Sequence, residues 1–294
     1  LKKELHKFDR FPKEMRLTMA LKLLGFLVQH IESPHIEMIH PTWIAEILKK
    51  EDPQLVFELL HHFSVEYSKQ VVSHLDAVTA PVENPLGALS PDIIQVILRL
   101  LEERFESMAA PFGEPKLSIE NLYLLREEDL VSLMRQIGLL EIARAFVLAG
   151  KDKLAALVGR FPQEMQEDFL AAAKTAQSEP REKQKVAARR LQNVDLPSLP
   201  IEESTLQAGL LKVGSVLKQR RALSRKVAQR LPMKLGKLLL SAEVEEGVSE
   251  DENQEIMDSI RNAITRNKID KQYLESRFSS ISDGVSIKTE AQSN

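Results

Sequence analysis

Residues 39–75 read IHPTWIAEILKKEDPQLVFELLHHFSVEYSKQVVSHL, and this stretch decides the fold class. It contains three short amphipathic segments, each beginning at residues typical of a helix start: His40-Pro41, Asp52-Pro53 and Ser64. Proline suits the first helical turn because its missing N–H would have no partner there. Apolar residues follow at helical spacing, as at Ile44, Ile47 and Leu48. Because helices this short cannot each bury an apolar stripe alone, the pattern predicts a right-angled stack of helices that builds interaction surfaces.

The composition of the whole chain favours an all-α fold with several small domains. Its 294 residues suffice for two or three domains, and a hydrophobic content of 43% can supply their cores. Leu, Ala, Glu, Lys and Gln dominate, and alternating runs of β-branched residues are missing. A net charge of −3 and only three Tyr and one Trp argue against a nucleic-acid surface. The lack of Cys fits a reducing cytoplasm, and no apolar run approaches the roughly 20 residues of a membrane span.

Pro- and Gly-rich breaks divide the chain into five predicted segments. These are an N-terminal helix at 1–35 that ends a truncated domain, helical modules at 36–109 and 110–195, a basic and acidic helical extension at 196–280, and a disordered tail at 281–294.

A short motif recurs along the chain. Phe11-Pro12-Lys13-Glu14-Met15 returns as Phe161-Pro162-Gln163-Glu164-Met165, with looser versions that begin at Phe63 and Leu231. Each copy follows an apolar segment and precedes another, as expected for a hydrophobic residue before a helix start. The recurrence indicates helical repeats of related design, although the same helix-start chemistry can also arise independently.

Four features occur in order along residues 35–192. They are Ile39-His40-Pro41-Thr42 followed by Ile44-Ala45 and Asp52-Pro53, then Phe63-Ser64-Val65-Glu66, then Ser90-Pro91-Asp92, and last Ile119-Glu120-Asn121-Leu122 with Phe146-Val147-Leu148-Ala149-Gly150. Their order and spacing resemble FliG, the flagellar motor switch protein, in its middle and C-terminal domains. The resemblance implies an all-α, armadillo-like superhelix of right-handed helical repeats, here with extra C-terminal helices.

The same resemblance implies a function. The expected protein is a scaffold of the flagellar motor switch or a related assembly, not an enzyme, with no cofactor. Its expected place is the cytoplasm, at the inner face of the cytoplasmic membrane. Its expected partners are a FliM-like switch protein and neighbouring FliG-like subunits, with a membrane-ring protein as a further candidate and nucleic acid the least favoured.

The chain departs from the family at several positions. Ile39 and Thr42 replace the Glu and Gln that flank the His-Pro pair of FliG. Leu148, Glu164 and residues 171–173 stand where the family carries the charges that face the stator. The resemblance therefore implies a divergent member that keeps the assembly scaffold and lacks the usual torque charges.

Two partner-binding surfaces are predicted. The first consists of Ile39, His40, Pro41, Thr42 and Trp43 in the middle module. The second is an apolar face of the next module around Leu133 and Leu154. His40 can either cap a helix or dock a partner, and the sequence leaves both roles open.

A basic stretch at 204–242 contains no acidic residue. Its predicted basic surface consists of Lys218, Arg220, Arg221, Arg225, Lys226 and Arg230. A basic amphipathic helix can lie on an anionic membrane or bind nucleic acid, which makes a membrane or nucleic-acid adaptor one alternative function. Because the acidic segment 243–255 follows at once, neutralisation within the chain or by a neighbouring subunit is favoured.

A second alternative is a Mg²⁺-sensing regulatory domain, since the transporter MgtE carries a helical domain related to that of FliG. Phosphate-binding and nucleophile motifs are missing from the sequence, and no metal site is predicted.

Overall fold

A computed structural model describes residues 35–75, 90–108, 118–194, 196–243, 250–266 and 269. Every regular element within these ranges is helical, which confirms the predicted all-α class there. The chain divides into two compact units, Leu1–Met108 and Ala109–Asn294. The predicted N-terminal helix and the predicted disordered tail lie outside the described residues, apart from His35.

The first unit contains four described α-helices. They are α1 (Pro41–Leu48), α2 (Pro53–Leu60), α3 (Val65–Ser73) and α4 (Pro91–Glu102). The first three begin where the sequence predicts.

Side-chain caps explain these three helix starts. The side chains of His40, Asp52 and Ser64 each accept a hydrogen bond from a backbone N–H in the first turn of the helix that follows. Such caps satisfy backbone donors that have no partner inside the helix. The carboxylate of Glu37 in turn accepts hydrogen bonds from the backbone N and Oγ of Ser64, at 2.5 and 2.8 Å, and so ties the 3₁₀ turn Ile36–Met38 to α3.

The second unit is built around one long central helix. Its α-helices are α5 (Glu127–Ala149), α6 (Lys151–Val158), α7 (Gln163–Ser178), α8 (Arg181–Arg190), α9 (Ile201–Leu217), α10 (Arg221–Gln229), α11 (Met233–Ser241) and α12 (Glu250–Thr265). Helix α5 packs against α7, α8 and, most extensively, α9. Short 3₁₀ helices at Ile119–Leu124 and Leu191–Asn193 precede α5 and follow α8.

Helices α5 and α9 cross so closely that only glycine fits at the crossing. A Cβ on Gly138 would lie 1.8 Å from the carbonyl oxygen of Thr205, and one on Gly209 would lie 1.7 Å from that of Met134. This crossing joins the predicted module 110–195 to the predicted extension 196–280 within a single unit. Residues 196–200 therefore form a turn between packed helices of one compact unit, and the predicted boundary at 195 does not separate two units.

The recurring motif forms the same local structure in its three described copies. Phe63, Phe161 and Leu231 are buried, and each donates its backbone N–H to the carbonyl three residues earlier, at 3.3, 3.1 and 3.1 Å. The next helices, α3, α7 and α11, begin two residues after them. The predicted helix starts are confirmed at these copies, whereas the copy at Phe11 lies outside the described residues. Descent of the copies from one repeated unit stays a prediction.

Candidate interaction surfaces

An apolar groove lies between α2 and α3 in the first unit. It has a volume of about 570 Å³ and is lined by Phe57, Leu60, His61, Phe63, Val65, Ser68, Lys69, Val72 and Ser73. Three of its apolar side chains are exposed to solvent: Phe57 at 39%, Val65 at 73% and Val72 at 42%. Folding leaves large apolar groups in water here, which is typical of a site that another molecule covers.

Sequence reasoning missed this groove. The buried stripe of α2 consists of Val56, Leu59 and Leu60, and Phe57 lies beside it. Two sequence signals could have revealed the groove. One is an aromatic residue beside an apolar stripe that is already complete, and the other is the apolar residues on the outer face of α3.

The predicted docking segment is for the most part structural. Ile39 is buried at 1% exposure, Pro41 is buried, and Trp43 is half-buried. His40 caps α1: its Nδ1 accepts from the backbone N of Thr42 at 3.2 Å and lies 2.8 Å from the Thr42 hydroxyl. The capping role left open by the sequence is therefore present. Ile39 and Pro41 are unsuited to contact a partner, because they already pack inside the unit.

The second predicted docking face also changes. Leu133 is fully buried, so its inclusion in an exposed apolar face is a correction. Leu154 is partly buried against the core cluster that contains Ile142, Phe161 and Phe169. The apolar residues spaced along α5 are therefore part of the core of the second unit and do not form a surface for a partner.

The predicted basic surface is not one continuous face. Residues 204–242 form three helices, and the first of them, α9, is buried almost all round. Three of the cations bind the same short segment of the second unit. Arg220 pairs with Glu120 at 2.8 Å, Lys226 lies 4.6 Å from the ring centroid of Tyr123, and Arg230 donates to the carbonyl of Leu125 at 3.0 Å. These charges hold α10 against the 3₁₀ helix Ile119–Leu124. Within that helix, burial raises the pKa of the Tyr123 phenol.

The remaining predicted cations lie together. Lys218, Arg221 and Arg225 line an open pocket of about 780 Å³ with Gln219, Ser224 and Leu240. The ammonium of Lys218 donates to the carbonyls of Leu240 and Ala242, at 3.1 and 2.9 Å, and so caps the C-terminal end of α11. Such a contact is the usual one for a cation at a helix C-terminus.

A buried ion network crosses the middle of the second unit. Arg144 on α5 is 2% exposed and binds three carboxylates: Glu141 at 2.7 Å, both oxygens of Glu179 at 2.6 Å, and Glu255 on α12 at 2.5 Å. Arg190 on α8 binds Glu141 at 3.1 Å and Glu252 at 3.0 Å.

Lys212 completes this network, which is named the Arg144 network below. Its side chain is 2% exposed and its ammonium binds Glu252. The sequence favours neutralisation of the basic stretch by the acidic segment that follows it. The pair of Lys212 and Glu252 is one such contact within the chain. The partners of Arg144 lie 3, 35 and 111 residues away, so most of them carry no local signal. One local feature of the sequence indicates the network: a Glu and an Arg, at 141 and 144, stand three residues apart inside an apolar helix.

Electrostatics favour the ionised state of the network. Burial opposes the ionisation of Glu141, but the positive charges of Lys212, Arg190 and Arg144 outweigh it and hold the pKa of this carboxyl below its ordinary value. Burial likewise opposes the ionisation of Glu252, and Lys212 with Arg190 lowers its pKa. The pKa of Arg144 is raised, since its hydrogen bonds to Glu179 and its attraction to Glu141 exceed the cost of its own burial.

The network makes stability depend on pH. The folded pKa values of Glu141 and Glu252 lie below the ordinary value of 4.5, so their contribution to stability is present above that value and is lost as the pH falls through the folded ones. We expect the free energy of unfolding, measured in urea, to fall on acidification below about pH 4.5. Glu252→Gln should lower stability at neutral pH and flatten this decline. A stability that is constant down to about pH 3 would contradict the prediction.

No group of three or more His, Asp or Glu side chains that could hold a metal ion occurs in the described ranges. In the same ranges no helix is both long enough and apolar enough to cross a bilayer.

Comparison of the chain with models of protein families, with curated proteins and with solved structures gives no match.

Proposed function

We propose that the chain is a non-enzymatic scaffold whose first unit binds a helix of a partner protein in the groove between α2 and α3. The observation that carries this proposal is the exposure of Phe57, Val65 and Val72 along one apolar groove. A monomeric protein gains stability by burying such groups, and their exposure is typical of a docking site.

The shape of the groove favours an amphipathic helix as its occupant. Val65 and Val72 are two helical turns apart on α3, a separation of about 10 Å along the axis. An apolar stripe at positions i, i+3, i+4 and i+7 of a partner helix has the same repeat and is the usual way in which a helix binds a groove. Lys69, the charged side chain that lines the groove, lies between the two valines in sequence. It favours a partner helix with an acidic residue beside its apolar stripe.

The assembly that we propose is a flagellar motor switch or a related complex. Its support is the resemblance to FliG in the first module, where helices begin at the His40-Pro41 and Asp52-Pro53 pairs on which the resemblance rests. A FliM-like switch protein and neighbouring copies of the chain are the proposed partners, in an armadillo-like arrangement of helices at the inner face of the membrane. The missing torque charges make scaffolding, and not torque generation, the proposed role.

The test is recovery of a purified FliM-like switch protein by the full chain. Val65→Glu with Val72→Glu places two carboxylates in the groove. We expect binding to fall more than about tenfold, because an apolar partner stripe would cover charges that water solvates in the free chain. Leu100→Glu is the matched control, because Leu100 is 56% exposed on α4 and does not line the groove. It should bind as the wild type does.

Each negative result has its own meaning. Unchanged recovery by the doubly substituted chain contradicts docking in the groove. Failure of the wild-type chain to bind the FliM-like protein contradicts the proposed partner.

A further inference from the structure

We propose that α5, α8 and α9 form a receptor groove for an acidic amphipathic helix, and that α12 occupies this groove as a displaceable ligand within the same chain. The groove is defined by the buried cations Arg144, Arg190 and Lys212. The groove lies in the second unit. Its occupant is an acidic helix, opposite in charge to the basic stretch 204–242.

Helix α12 supplies two of the four carboxylates that bind the groove's cations among the described residues. Without α12, the network consists of four cations and two carboxylates: Arg144, Arg190, Lys212, Lys183, Glu141 and Glu179. Helix α12 contributes Glu252 and Glu255, which equalise the opposite charges. Three of these cations are buried, whereas Lys183 is 38% exposed. Buried positive charge without carboxylate partners is costly, so the empty groove selects for a segment that supplies carboxylates.

The spacing of these carboxylates specifies a helix. Glu252 and Glu255 are three residues apart, and on a helix that spacing places both side chains on one face. Glu252 reaches Arg190 and Lys212, while Glu255 reaches Arg144 at 2.5 Å and Lys183 at 3.9 Å. One pair of side chains thereby joins α12 to three helices that are distant in sequence.

The remaining residues of α12 complete the amphipathic pattern. Its buried side chains are Ile256, Met257, Ile260 and Ala263, and they follow directly after the two carboxylates. The opposite face is exposed and makes contacts of its own, such as Arg261 to Asp258 at 2.7 Å. The ligand that the groove recognises is therefore a helix with a Glu-x-x-Glu pair followed by an apolar stripe.

The rest of the unit has interactions that do not depend on α12. The hydrophobic cluster that contains Ile142, Phe161 and Phe169 includes no residue of α12. Without α12, Arg144 keeps Glu141 and Glu179, and Arg190 keeps Glu141. Lys212 loses its bound carboxylate, Glu252. Release of α12 thus leaves Lys212 near the charge of Glu141 but without a directly bound carboxylate, which a second acidic helix can supply.

The experiment uses the full chain with Glu252→Gln and Glu255→Gln. We expect hydrogen exchange of the α12 amides to accelerate at least tenfold, while the amides of α5 and α9 remain protected. A fluorescent peptide of residues 250–266 should bind this variant, with a rise in anisotropy, and should not bind the wild type, whose groove is filled. The same peptide with both Glu replaced by Gln should not bind.

Asp258→Asn supplies the matched control on the exposed face of the same helix. It removes a carboxylate outside the groove, so α12 should stay protected and the peptide should not bind. The proposal is overturned if α12 stays protected in the doubly substituted chain. It is equally overturned if α12 is released and the peptide fails to bind, or if the peptide with Gln binds as well as the one with Glu.

Discussion

Gly138→Ala is expected to lower the free energy of unfolding of the second unit by about 3 kcal/mol or more, the upper end of the usual cost of overpacking. The new Cβ would lie 1.8 Å from the carbonyl oxygen of Thr205 and 2.7 Å from the backbone N of Gly209. Both obstacles are backbone atoms of α9, which cannot rotate away as a side chain could. Helices α5 and α9 must therefore separate, and this disrupts the most extensive helix contact of the unit.

The measurement is urea unfolding followed by circular dichroism, with Gly159→Ala as the control. Gly159 follows α6 with an ordinary right-handed backbone, and the nearest atom to its added Cβ is the carbonyl oxygen of Ala156 at 3.6 Å. The control should change the free energy by less than about 0.5 kcal/mol. Equal unfolding midpoints for the two variants would show that the α5–α9 crossing is looser than its geometry indicates.

The features that sequence reasoning found are local. His40, Asp52 and Ser64 each cap a helix that begins at the next residue, so the pattern and its physical cause lie within a few positions. The buried residue of the recurring motif, such as Phe161, is local for the same reason: its N–H binds the carbonyl three residues earlier. Helix identity and helix starts were therefore predictable.

The features that it missed depend on partners far along the chain. Nothing near Gly138 indicates that Gly209 will lie against it, because a helical glycine can also mark a cap or a simple surface position. The apolar spacing around Leu133 shows that α5 buries a face, but it cannot tell a core from a docking surface. The number of cations in 204–242 was evident, whereas their individual partners, such as Glu120 for Arg220, were set only by tertiary packing.

Arg144→Met is expected to lower the free energy of unfolding by about 3 to 5 kcal/mol, the usual cost of removing one partner from a buried ion pair. Methionine fills much of the space of the arginine stem, so the loss is mainly electrostatic. Glu179 and Glu255 lose their 2.6 and 2.5 Å contacts to the guanidinium, and buried Glu141 keeps its contact to Arg190 and the nearby charge of Lys212. The variant leaves four carboxylates facing fewer cations.

The pH dependence of this loss separates charge from packing. At neutral pH, urea unfolding should show the full effect, and the difference from the wild type should shrink on acidification, because protonated carboxyls no longer need the guanidinium. Arg261→Met is the matched control: Arg261 is exposed and pairs with Asp258 at 2.7 Å, so its loss should cost under about 1 kcal/mol at any pH. If Arg144→Met costs no more than the control, the buried network does not stabilise the unit. If Arg144→Met lowers the free energy of unfolding equally at acidic and neutral pH, the loss comes from packing. In that case the ion pairs of the Arg144 network do not hold α12 in its groove.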